Sequence, residues 1–178
     1  MTDIAFLSAN HLAKLIRKRK IGCLELLDHY LSRVERFNPA LNAIISTDIP
    51  AARRRARLAD KMVASGEKLA PLHGVPVTVK ESFDVKGLAT SWGVPAYRNN
   101  IAKEDAVSVR RLRNAGAVIF GKTNIPTWLA DCQSFNPIFG KTLNPWNVDR
   151  TPTYSLDFML GLIRCKLPSR CHASKAKF

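Results

Sequence analysis

The chain has 178 residues, 46% hydrophobic and 24% charged, which is long enough for one domain with its own core and too apolar for wholesale disorder. Its 28 Lys and Arg against 14 Asp and Glu leave +14, a balance that attracts phosphate-rich partners non-specifically and repels itself. No segment approaches the roughly 20 apolar residues that cross a bilayer, and Met1 to Leu7, which carries Asp3 and no basic leader, does not read as a secretory signal, so a soluble cytoplasmic protein is expected.

In chain order, Ser8 is a plausible N-cap for a first helix with Leu12, Leu15 and Ile16 on one face, followed by the basic run "RKRK" at 17–20. A second helix begins near Cys23, presents Leu24, Leu27, Leu31 and Val34, and is expected to stop at Asn38 and Pro39. Pro50 opens a third at a first-turn position, carrying Arg53, Arg54, Arg55 and Arg57 and ending by Gly66. The first 65 or so residues therefore read as mainly helical. From Leu72 the texture changes to a strand, "VPVTVK", then a loop punctuated by Gly87 and Gly93. A helix from about Glu104 to Asn114 follows, with Gly116 as its stop, and then a short apolar strand, Ala117 to Phe120. Strand, crossover helix and strand form a parallel unit whose faces must be covered, which predicts an α/β fold: N-terminal helices, then part of a mixed, largely parallel sheet covered by helices. Residues 121–152 are expected as loop and short helix, broken by Pro126, Pro137, Pro145 and Pro152.

Cys23, Cys132, Cys165 and Cys171 are scattered in a way that suits free thiols. Cys165, Cys171 and His172 form no CxxC pair and lack a fourth ligand, so no zinc site is expected.

"GVPVTVKES", residues 74–82, runs an apolar strand into Lys80. A lysine at the end of a parallel strand sits at the carboxyl edge of the sheet, where open α/β folds bind ligands. Burial there disfavours the ammonium form and makes Lys80 a candidate general base. The alternatives are that it snorkels outward or pairs with Glu81 or Asp84.

Three stretches carry a wider resemblance: "PLHGVPVTVKESFDVKGLATSWG", "DAVSVRRLRNAGAVIFGKTNIPTW" and "NPIFGKTLNPWN". In register, from about Ala5 to Pro152, they resemble the amidase signature family, whose members hydrolyse carboxamide bonds through a serine, cis-serine, lysine triad. The resemblance implies that Lys80 is the base of that triad, that the fold is an incomplete α/β/α sandwich, and that a small-molecule amide is the substrate. "GKTN", 121–124, is expected to turn the chain at the sheet edge, its Gly121 permitting close backbone approach. Lys122 and Thr123 would either touch ligand or stabilise that turn. Trp92 and Trp128 would line a pocket or fill core, core being preferred, and Asn136 and Asn144 would cap local turns.

After Pro152 the family's glycine and serine run, GGSSGGS, is absent; the chain reads "RTPTYSLDFMLGLIRCKLPSRCHASKAKF". Ser155 falls by spacing where the bridging serine would stand, but Thr153, Tyr154 and Leu156 crowd a tight oxyanion loop, and no serine has the context of the nucleophile. The expectation is that residues 1–152 form the N-terminal portion of an amidase domain, that 153–178 are a basic tail foreign to the family, and that the chain is a truncated, inactive form. Self-association through an exposed sheet edge would follow. The alternatives are a basic nucleic-acid-binding protein, for which solvated helix faces are the preferred explanation of "RKRK" and "RRRAR", and an interaction module completed by a partner. No cofactor is expected, since neither GxGxxG nor a Walker pattern is present, and "GKT" at 121–123 lacks the upstream glycine of a P-loop.

Overall fold

The structure is a computed structural model and describes residues 3–152. Helix α1 spans Ala9–Arg17 and is capped as expected, the Ser8 hydroxyl accepting from the His11 amide at 3.2 Å. Helix α2, Cys23–Leu41, has no cap from its own Gly22 side. Instead the Asp60 carboxylate, reaching across from α3 (Ile49–Ser65), accepts from the amides of Cys23 and Leu24 at 2.6 and 3.0 Å. An acid on a helix N-terminus satisfies orphan donors and complements the dipole.

Helix α2 does not stop at Pro39 but runs to Leu41. Proline in a last turn forfeits a single backbone bond, and Asn42, left-handed at φ 51°, ends the helix by donating to Asn38 O at 2.7 Å. The Asn38 side chain then links helix to strand, accepting from Ala43 and Ile44 and donating to Ile44 O.

That strand, β1 (Ile44–Thr47), is absent from the expected helical N-terminal region, because two apolar residues are too short a signal to register. It joins β2 (Pro76–Lys80) and β3 (Val118–Thr123) in a sheet of order β1-β3-β2, with β1 antiparallel and β2 parallel to β3. Helix α4, Val107–Asn114, crosses between the two parallel strands. It starts three residues later than expected because Ala106 N is tied to Asp84 O and Asp105 is engaged elsewhere, accepting from Lys86 N and pairing with Arg113 at 2.8 Å. A hairpin of two-residue strands, β4 (Phe135–Asn136) with β5 (Gly140–Lys141), completes the described strands, and short 3-10 turns lie at Ile4–Phe6, Pro95–Tyr97 and Thr127–Leu129.

Alternation along β3 divides the core. Val118 and Phe120 pack with Leu12, Ile16, Leu27 and Ala56 of α1 to α3, while Ile119 packs with Val79, Val85 and Val109 under α4. The result is a helix, sheet, helix sandwich, the α/β class expected.

The "GKT" of 121–123 is not a turn. All three residues belong to the central strand, paired with Ser46 and Thr47 on one side and with Thr78, Val79 and Lys80 on the other. Gly121 does permit close approach, since a Cβ there would meet Ser46 O at 2.7 Å. Gly121→Ala is therefore expected to push β1 away and cost about 1–3 kcal/mol, read as a fall in the urea midpoint.

Two of the basic runs are partly spent inside the fold. Arg17 donates to Ala70 O and Pro71 O, Arg19 to the last-turn carbonyls Val63 O and Ala64 O of α3, and Arg53 pairs with Asp28 at 2.9 Å.

Cys23 is fully buried against Gly74. Burial, reinforced by the neighbouring Asp60 charge and hydrogen bond, pushes its thiol up from about 9 to about 12. An acid whose pKa is raised by folding stays protonated in the native state while the unfolded thiol ionises, so its contribution is whole below pH 9 and is lost between pH 9 and 12. Wild type is thus expected to lose stability relative to Cys23→Ala across that window in a pH series of urea unfolding curves.

Candidate active site

Lys80 closes β2, its residue in register with Thr123 and its carbonyl accepting from Phe83 N at 3.0 Å where the chain turns. The residue is half-buried, and its ammonium makes no hydrogen bond or ion pair with any described residue. Pairing with Glu81 or Asp84 is thus not what the structure displays. Glu81 is otherwise engaged: 1% exposed, it accepts from Ser91 N at 2.5 Å, Ser91 Oγ at 2.9 Å and Trp92 N at 3.1 Å. Its own amide continues the ladder to Thr123 O. Strand alternation therefore sets Lys80 on the face opposite Val79 and Glu81.

Lys122, on the neighbouring strand, is 0% exposed and donates to Ala89 O at 2.5 Å and Thr90 Oγ1 at 2.9 Å. Desolvation pulls its amine down from 10.5 to about 8, against the opposing pull of the Glu81 and Asp84 charges. Of the two expectations for this residue the structural one holds, though the backbone it steadies is the glycine-punctuated loop of 87–93 and not a turn of its own. Thr123 is 3% exposed within the strand.

Beyond the loop lies an aromatic surface. Trp92 and Trp128 are 6.3 Å apart between ring centroids, and Tyr97 meets Trp128 edge to face at 5.9 Å. Trp128 is 55% exposed and Trp92 half-buried, so neither fills core as preferred. Both have left-handed backbones, φ 54° for Trp92 and 57° for Trp128, a conformation bulky residues adopt only where the surroundings impose it. Trp92 is pinned by Glu81, and Trp128 by its backbone N–H, which donates to Trp92 O at 2.9 Å.

Asn136 is the turn cap expected of it and more. Its Oδ1 accepts from Ile138 N and Phe139 N, and its Nδ2 donates to Asn124 Oδ1 and Ile125 O, all at 2.8–3.0 Å. Asn144 accepts from Trp146 N at 2.9 Å. Ser155, Cys165, Cys171 and His172 lie outside the described residues, as does the whole basic tail of 153–178.

Fold and site together define a helix-layered mixed sheet with, among the described residues, an unpartnered lysine at the carboxyl end of a parallel strand. The family model described as Amidase matches residues 25–155, most of the chain, and the chain belongs to the amidase family. It is 42% identical over 144 residues to an indoleacetamide hydrolase of Bradyrhizobium diazoefficiens, covering 81% of this chain and 28% of that protein. It is 36% identical over 152 residues to human fatty-acid amide hydrolase 2, covering 82% and 29%. The solved structure of a fatty acid amide hydrolase superposes with a TM-score of 0.77 at 29% identity, over 82% of this chain and 26% of that one. The chain thus spans about a third of the length of the curated relatives it matches.

Proposed function

We propose that this chain supplies the lysine base of a site that hydrolyses carboxamide C–N bonds, with a small-molecule amide as substrate. The observation that carries the reading is Lys80: a half-buried amine at the carboxyl edge of a parallel strand, within the family match, with no described partner. A structural lysine so placed would be expected to hold an acid, and both nearby acids are otherwise committed or apart. In its neutral form the amine takes a proton from a bridging serine, for which Ser155 is the candidate by spacing, and that serine deprotonates the nucleophile. Serine attacks a carbonyl only when a base within hydrogen-bond reach removes its proton.

The sequence of 178 residues contains no Gly-Gly pair and no run of the form GGSSGGS, the element that would stabilise the oxyanion and present a nucleophile. By itself the chain is expected to leave simple amides and anilides at the rate of a buffer blank. Its base is tested in a chimera in which residues 25–152 replace the matched stretch of the indoleacetamide hydrolase. Turnover that disappears with Lys80→Ala supports the assignment; turnover indifferent to that change refutes it.

A further inference from the structure

We propose that Glu81 and Lys122 are the positioning residues of this site, two buried polar side chains that seize the loop of 87–93 from adjacent strands and hold it fixed at the carboxyl edge, where Glu81 directly follows Lys80 in the chain and faces the other way. The inference rests on the reading of Lys80 as the base, and deepens it. The two groups divide the loop between them. Lys122 holds its first half through Ala89 O and Thr90 Oγ1; Glu81 holds its second half through Ser91 N, Ser91 Oγ and Trp92 N. They do not pair directly, and the hydrogen bonds of each are spent on the loop.

The consequence runs outward. Ser91 Oγ also accepts from Gly93 N at 3.1 Å, and Gly93 at φ 70° abuts Asn136 and Thr127 so tightly that a Cβ would meet Asn136 Cβ at 2.8 Å. Trp92 O in turn receives the Trp128 amide, so the grip on the loop also fixes the strained Trp92 and Trp128 backbones. Buried charges are costly to desolvate, and here the bonds to the loop are what offset that cost. Their place in a strand and at a strand end makes sense where one loop geometry is required. Catalytic walls are held by such supporting contacts, and small displacements there lose rate.

Hydrogen exchange of the chain itself, by quenched flow with mass-spectrometric readout and correction for intrinsic rates, tests this without any turnover. Glu81→Gln leaves the Trp92 amide without an acceptor, and exchange at 91–93 is expected to rise tenfold or more while the amides of α2 and β3 keep their protection. Should that variant not fold, Ser91→Ala removes one donor, keeps the charge, and is read the same way.

The pH profile identifies Lys122. Seating the loop buries an amine flanked by Glu81 and Asp84, so its pKa is lower with the loop closed than with the loop open and solvated. Raising the pH from about 8 toward 10.5 must then favour the closed loop, up to tenfold per pH unit, with no slope below 8. Lys122→Met is expected to abolish that slope. Equal loosening of loop and core in Glu81→Gln and Ser91→Ala, or a pH profile unchanged by Lys122→Met, would overturn the proposal. Failure of the Lys80 chimera alone would overturn the function and leave the grip on the loop standing.

Discussion

Glu81→Ala is expected to lower the stability of the chain by about 3–5 kcal/mol. Three donors, Ser91 N, Ser91 Oγ and Trp92 N, lose their shared acceptor in a site where Glu81 is 1% exposed and water has no ready access. Each such orphan costs about 1–3 kcal/mol. Lys122 simultaneously loses one of the two negative charges that offset its desolvation, and the left-handed Trp92 loses its anchor. With a urea slope of about 2 kcal/mol per molar, the midpoint should fall by about 2 M. For a domain whose total stability is about 5–15 kcal/mol that is about a fifth or more of the margin. A midpoint within 0.3 M of wild type, taken here as roughly the scatter of such measurements, would mean that water replaces the carboxylate at no cost and that the loop is not held as described.

The layered α/β class was readable because its cues are local and periodic. Ser8 announces α1, the Leu24, Leu27 and Leu31 stripe announces α2, and "VPVTVK" followed by a helix and a second apolar strand announces a parallel unit. What escaped is non-local. Strand β1 is four residues long and becomes a strand only because β3 stands beside it. The reach of β3 through Gly121, Lys122 and Thr123 looked like a turn because polar residues and a glycine ordinarily mark one. In fact glycine is there for interstrand clearance and lysine for a loop far along the chain. The same holds at the site: Lys80 stood out as a charge ending an apolar strand, whereas Glu81 beside it, like Asp84, offered only an alternative partner for it. Sequence adjacency cannot reveal which distant atoms a buried acid meets, and only the folded loop shows where the carboxylate goes.

Lys80→Met separates a base from a structural cation more sharply than any other change, because the two roles predict opposite costs. A lysine that holds the fold together leaves partners stranded when removed, at a loss of about 1–3 kcal/mol. Lys80 has no described partner to strand, so methionine, with a similar stem and no charge to desolvate, should leave the stability of the chain in urea unfolding within about 0.5 kcal/mol of wild type or above it. In the chimera the same substitution should lower kcat/KM by about a thousandfold or more, since members of a proton relay act as a unit and a serine without its base is a poor nucleophile. The effect should fall on kcat with KM little changed, because the amine meets a proton in the transition state and not the bound amide. A substitution that destabilises the chain while sparing turnover would return Lys80 to the ranks of structural lysines, and with it the assignment of this strand edge as a reaction centre.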